Sequence, residues 1–257
     1  MTKCINREIT IRATIAIMHD DRRAERLQPL LDQLQDPPPE IQEVFVANGS
    51  RGGPWLALFK ALFFGPEDRT HTITIEDDAI LSRNFLQGAI NAIHSRPNDL
   101  LYLFASSRQA GYEMKKARGR GCSWAETNPR RTVGTVAACI PRTIAEPFIK
   151  WGCSPETMVL SSTLWPHKPM SGDSRLYFWM VNLRGGDFCE SYPDCDAAKF
   201  PLVSAVSLAD HDEDDPQQDS LIGTRQTVAR RSPTFIGEGA DASAVVFNSE
   251  VCEWNPS

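Results

Sequence analysis

Three acidic side chains in succession, Glu76-Asp77-Asp78, close a run of β-branched residues, Thr72-Ile73-Thr74-Ile75. Side chains alternate between faces along a strand, so consecutive acids there point apart. Once the chain turns out of the strand, one carboxylate can face a cleft while its neighbour orients the loop. Hard divalent cations such as Mg²⁺ and Mn²⁺ take one or two carboxylates together with substrate phosphate oxygens. Acids in this position can hold such a cation against a diphosphate and absorb charge as a leaving group departs. They also suit a plain turn, which ends many strands. Farther along, Asp173 stands just ahead of Leu176, Trp179, Met180 and Leu183, which recur at helical spacing. A carboxylate there either caps the helix or serves as general base to an incoming hydroxyl.

The elements that must position these groups alternate through the first half. Residues 9–18 read as a strand, and Leu27, Leu30, Leu31 and Leu34 as a helix that Pro29 delays or kinks. Val44–Ala47 reads as a second strand. Pro54 suits the first turn of a helix running through Phe64. Thr72–Ile75 is a third strand, and Ser82 suits the cap of a helix bearing Phe85, Leu86, Ala89, Ile90 and Ile93. Leu100–Phe104 is a fourth. Strand–helix alternation of this kind predicts an α/β fold, a single Rossmann-like domain with a mostly parallel sheet and helices on both faces. Ligands of such sheets bind at the carboxyl ends of the strands, where Glu76-Asp77-Asp78 lies.

The second half is less regular. Residues 105–131, rich in Gly, Arg and Ser, read as a long loop over the sheet. Residues 132–140 read as a strand, Pro141 onward as a helix through Trp151, and Phe188–Tyr192 as a short strand. The acidic stretch 210–219 reads as a loop. The domain spans residues 1–257, with a core of about 9–240 and a polar tail, 241–257. Within residues 105–131, Lys115, Lys116, Arg118 and Arg120 form a basic stretch, with Arg130 and Arg131 following. It reads either as a solvated basic loop or as acceptor and phosphate contacts, with Trp124 available to stack on a base.

Bulk properties bound the class. The 257 residues are 41% hydrophobic and 23% charged, ordinary for a soluble globular enzyme. Thirty-three acidic against 27 basic side chains give a net charge of −6, which disfavours general phosphate neutralisation but leaves room for a local basic groove. The seven cysteines are scattered and never spaced Cys-x-x-Cys, which points to reduced thiols in the cytoplasm. No run approaches the roughly 18 apolar residues of a membrane span, and no signal-peptide core follows Met1.

The stretch Thr72-Ile73-Thr74-Ile75-Glu76-Asp77-Asp78-Ala79-Ile80, with Asn84-Phe85 after it, resembles the acidic motif of A-type glycosyltransferases. The chain is similar, more particularly, to small glycosyltransferases encoded by bacteriophages. The similar features run in order through His19-Asp20-Asp21-Arg22-Arg23, Gly52-Gly53-Pro54-Trp55 and Glu76-Asp77-Asp78-Ala79. They continue through Asp173-Ser174-Arg175-Leu176, Pro201-Leu202-Val203, Asp210-His211, Ser220-Leu221-Ile222-Gly223 and Arg230 to Gly237. Residues 154–171 and the acidic insert 212–218 depart from the pattern.

The resemblance implies a single domain of that fold with an irregular acceptor side. It implies a nucleotide-sugar donor, with a UDP-sugar favoured, and an Mn²⁺ or Mg²⁺ cofactor. Asp78 would bind the metal, with Asp77 assisting on the ribose or through water and His211 as a further ligand whose second nitrogen Asp210 or Asp212 steers. Gly52 and Gly53 would let the nucleotide approach the backbone, and Trp55 would close the pocket. Arg22 and Arg23 would pair with the diphosphate or simply solvate their turn. With Asp173 as base, displacement would invert the anomeric centre. The acceptor would be a hydroxyl on a modified base of viral DNA or on a virion protein or glycan. Two other readings remain open: a sugar nucleotidyltransferase, against which the lack of a Gly-rich loop after the first strand counts, and a catalytically idle nucleotide-binding module.

Overall fold

A computed structural model describes residues 10–50, 52–105, 108–127, 136–164, 171–184, 201–211 and 232–253. The first strand, β1 (Ala13–His19), is buried throughout its seven residues. It pairs in parallel with β2 (Ile41–Asn48) on one side and β3 (His71–Glu76) on the other, with Ile15 opposite both Val44 and Ile73. The alternation of β-branched and small residues serves both faces. Ile15, Ile17, Ile73 and Ile75 pack on one side, and Ala16 and Met18 on the other.

The remaining strands of the sheet are β5 (Leu101–Tyr102), β6 (Trp124–Glu126), β7 (Ala137–Pro141), β8 (Leu202–Ser204) and β10 (Val251–Cys252). The order is β10-β6-β8-β5-β7-β3-β1-β2. β7 enters antiparallel between β3 and β5, and β6 pairs antiparallel with β8. β5 and β8 run parallel to each other, as do β6 and β10. β1, β2, β3, β5 and β8 therefore all run in one sense, and their carboxyl ends share one edge. A separate two-stranded ribbon, β4 (Ala79–Leu81) with β9 (Ala209–His211), follows directly on the ends of β3 and β8.

Helices cover both faces, as the alternation of strands and helices predicts. α1 (Ala24–Gln33) and α3 (Phe85–Ser95) pack with Leu30, Leu34, Leu86, Ile90 and Ile93 on one side. On the other lie α2 (Gly53–Phe63), α4 (Arg108–Gly119), α5 (Arg142–Gly152) and α7 (Gly172–Arg184), while α6 (Pro155–Leu164) follows α5.

Several expectations are corrected. Pro29 does not delay α1, which begins at Ala24 and carries Pro29 inside it. Ser82 is not the cap of α3. Asn84 takes that position at φ +56°, and its side-chain amide donates to Asp241 Oδ1 at 3.0 Å. Residues 108–126 are not a loop but α4 and β6. Ala110, Met114 and Ala117 recur at helical spacing and bury one face of α4, a stripe that its interspersed glycines and basic residues obscure in the sequence. The tail is not merely polar, since Ala242 is buried against α3 and Val251–Cys252 form the edge strand β10. The expected strand at 188–192 and the acidic loop beyond 211 lie outside the described residues. Cys122, Cys139, Cys153 and Cys252 are free thiols. Among the described residues no helix is long and apolar enough to cross a membrane.

Candidate functional site

The acids at the end of β3 divide their work. The backbone N–H of Asp77 extends the ladder to the Met18 carbonyl at 3.1 Å. Its carboxylate then gathers the end of β1. Oδ2 accepts from the Asp20 N–H at 2.9 Å and lies 2.9 Å from His19 Nδ1, while Oδ1 accepts from Arg23 Nη1 at 2.8 Å. Asp77 is 4% exposed. With both oxygens bonded within the protein, it ties two strand ends together.

Asp78 immediately precedes the ribbon strand β4, and its carboxylate converges with that of Asp77 on one arginine. Its Oδ2 pairs with the same Arg23 Nη1, at 2.7 Å. The next residue, Ala79, sits opposite His211 in the antiparallel β4–β9 register, and Ile80 sits opposite Asp210. Asp210 is buried, and its Oδ1 accepts from the Ser232 N–H at 2.8 Å. The backbone thus brings the expected ligand residues Asp78 and His211 to one end of one ribbon, although 132 positions separate Ala79 from its partner (211 − 79). The side chain of His211 lies outside the described residues.

A carboxylate beside an imidazole-bearing position is a donor set that suits Mn²⁺ or Mg²⁺ completed by phosphate oxygens, so the residues fit the implied metal. Among the described residues no three His, Cys, Asp or Glu gather as a ready-made cage.

The two arginines of the turn separate. Arg22 is exposed and forked onto Asp20, Nε to Oδ1 and Nη2 to Oδ2, each at 2.8 Å. That fork holds the Asp20 carboxyl below its ordinary range. Arg23, in the same 3₁₀ turn Asp21–Arg23, is buried on the two acids. Neighbouring residues of so tight a turn diverge, and nothing in Arg22-Arg23 itself tells which one points inward. The sequence reading offers both arginines to the diphosphate or to solvent and misses the structural weight of Arg23 and His19. The one available signal was that His19 ends an otherwise apolar strand.

The turn after β2 comes to the same corner. The Gly49 N–H bonds to the His19 carbonyl at 2.9 Å, and the N–H groups of Gly52 and Gly53 both bond to the Gly49 carbonyl. Gly53 has φ +71° with open space where a Cβ would stand, so only glycine meets its backbone there without strain. Trp55 follows this turn in the first turn of α2. Its ring packs edge-on to Phe148 at 5.7 Å, with the Arg175 guanidinium 4.5 Å above its centroid, at the junction of α2, α5 and α7.

That junction also positions Asp173. A Cβ on Gly172 would stand 2.8 Å from Leu58 Cδ2 and 3.3 Å from the Pro54 carbonyl oxygen. The first turn of α7 therefore lies against the amino end of α2, beside the Gly52-Gly53 turn. Arg175 fixes it there, donating to the Gly152 carbonyl at 2.7 Å. Ser171, not Asp173, precedes the helix, with its hydroxyl 2.8 Å from that of Ser174. Asp173 lies inside the first turn, which leaves the cap to another residue.

The basic stretch lies on the outer face of α4. Lys115 and Arg118 are exposed, and Lys116 pairs with the buried Glu113 at 3.2 Å. Trp124 cannot stack on a base. It is fully buried in β6, parallel to Phe247 at 5.2 Å, and its indole N–H bonds to Ser95 and to the Asn248 carbonyl. Arg130 and Arg131 lie outside the described residues.

No protein-family model matches the chain, and no curated protein does. Among solved structures, the apo form of the glycosyltransferase GlyE from Streptococcus pneumoniae TIGR4 superposes with a TM-score of 0.29 at 11% identity, covering 77% of this chain and 55% of that one. The chain thus spans little more than half of that enzyme's length, and so loose a superposition carries no functional information.

Proposed function

We propose that the chain is a metal-dependent glycosyltransferase that moves a sugar from a nucleoside-diphosphate donor, a UDP-sugar by preference, to an acceptor hydroxyl. The observation that carries this reading is the division of labour at the end of β3, where Asp77 is spent on structure and Asp78 stands one residue before the Ala79–His211 pair of the ribbon. The ordered resemblance to bacteriophage glycosyltransferases supports the class. Asp78 and His211 would hold Mn²⁺ or Mg²⁺. When bound, the cation would neutralise the charge that develops on the departing diphosphate.

The chain's own groups supply the rest. The Gly52-Gly53 turn lets a nucleotide approach the backbone, and Gly53 leaves open space at its α-carbon. Arg22 can reach the diphosphate only by releasing Asp20, so it is at most an exchangeable contact. Asp173, in the first turn of α7, is the general base that removes the acceptor proton, with inversion at the anomeric carbon. The acceptor is a hydroxyl on a modified DNA base or on a protein or glycan. The exposed Lys115 and Arg118, with the paired Lys116, suit a phosphate-bearing acceptor, and the burial of Trp124 removes base stacking from that picture.

The test is to incubate the purified chain with Mn²⁺ and a panel of nucleotide sugars and to follow release of free nucleoside diphosphate. Slow, Mn²⁺-dependent release from one donor is expected. Pyrophosphate formed from a nucleoside triphosphate and a sugar phosphate would instead make the chain a nucleotidyltransferase. Nucleotide binding without turnover would make it an idle module.

A further inference from the structure

Arg23 already brings a fixed positive charge to the acids at the end of β3. A single nitrogen, Nη1, lies 2.8 Å from Asp77 Oδ1 and 2.7 Å from Asp78 Oδ2, and the three side chains are 8%, 3% and 2% exposed. Two carboxylates buried side by side are costly without a counter-charge. Asp77 has two further donors, His19 Nδ1 and the Asp20 N–H, and the guanidinium nitrogen that it shares also reaches Asp78.

We infer that Arg23 is a built-in counter-ion to Asp78, a positioning residue that holds this carboxylate in place and weakens its affinity for a divalent cation until an anionic diphosphate arrives. The inference rests on the reading of Asp78 as a cation ligand. Two positive centres drawn to one buried carboxylate repel each other strongly at a few ångströms. A diphosphate brings negative charge to the same corner and offsets that repulsion. Cation and donor then bind as a unit, and Arg23 enforces the coupling. A residue there only to keep the fold would have the opposite signature, because its loss would loosen Asp78 and lower cation affinity.

The experiment measures Mn²⁺ binding to the full chain by loss of the free-ion electron paramagnetic resonance signal, with and without UDP. The chains compared are the unaltered one, Arg23→Gln and Arg23→Lys. The unaltered chain should bind Mn²⁺ at least about tenfold more tightly with UDP present. Arg23→Gln should bind Mn²⁺ without UDP at least about tenfold more tightly than the unaltered chain does, and should gain less from UDP. Arg23→Lys, which keeps the charge, should stay near the unaltered chain. Equal or weaker Mn²⁺ binding by Arg23→Gln, beside an unaltered chain that binds Mn²⁺ with UDP, overturns the counter-ion and leaves the cation site standing. Should Arg23→Gln fail to fold, an unaltered chain whose Mn²⁺ affinity ignores UDP overturns it equally. Failure of every chain to bind Mn²⁺ under either condition removes the cation site itself.

Discussion

Asp77 and Asp78 are adjacent in sequence and chemically identical, yet their surroundings give them different tasks. Asp77 accepts from His19, Asp20 and Arg23, so its removal takes the acceptor from a buried imidazole and a backbone N–H and one of two acids from the buried guanidinium. Breaking a buried pair by deleting one partner costs about 3–5 kcal/mol. Asp77→Ala should lose stability on that order, read as a fall in the urea midpoint with little change in slope. Asp78→Asn should lose much less, because Arg23 keeps its bond to Asp77. Equal losses would mean that the two acids share one structural role. The run Glu76-Asp77-Asp78 announces a site, but it does not say which acid is spent on the fold. That depends on where the 3₁₀ turn after β1 sends Arg23, and this contact spans 54 positions.

At the scale of elements, the ribbon is the part that sequence patterning misses. β4 and β9 are three residues each, too short for a period to emerge, and Ala79 pairs with His211 across 132 positions. The long strands and helices were legible because each has one or two faces that must be apolar. β1, β3 and α3 need no partner to be recognised, whereas α4 hid its apolar stripe among glycines and basic residues. What seats the ribbon is the fit of α3 beneath it. A Cβ on Gly88 would stand 2.9 Å from Leu208 Cδ1, from Ala242 Cβ and from the Ala242 carbonyl oxygen. Gly→Ala inside a helix ordinarily stabilises by up to about 1 kcal/mol. Here one of the contacts is backbone, so overpacking wins. Gly88→Ala should destabilise by about 1–3 kcal/mol in chemical denaturation. A stabilised variant would mean that the segment 241–245 is not held against α3.

The whole molecule is an α/β fold whose carboxyl-end edge gathers the ends of β1, β2 and β3 around Asp77, Asp78 and the turn after β2, while its opposite edge carries structural polar groups. His71 opens β3 at that far edge, with Nε2 donating to the Pro97 carbonyl at 2.7 Å. Burial depresses its pKa from 6.5 to about 4. The unfolded chain therefore binds the proton first, and the contribution of His71 is complete above pH 6.5 and is lost as pH falls toward 4. The loss amounts to about 3 kcal/mol. Denaturation midpoints measured from pH 7 to pH 4 should decline along this slope, and His71→Asn should flatten it. A slope unchanged in that variant would assign the effect elsewhere.

The central claim is that Asp78 carries the cation on which turnover depends, and the most direct measurement is release of nucleoside diphosphate by Asp78→Asn beside the unaltered chain, across a range of Mn²⁺ concentrations. Turnover should fall by about a hundredfold or more, since even the partners of metal ligands commonly cost 10- to 100-fold when lost. The circular dichroism spectrum of the variant should match that of the unaltered chain. A folded Asp78→Asn that keeps Mn²⁺-dependent turnover at the unaltered rate would contradict the claim.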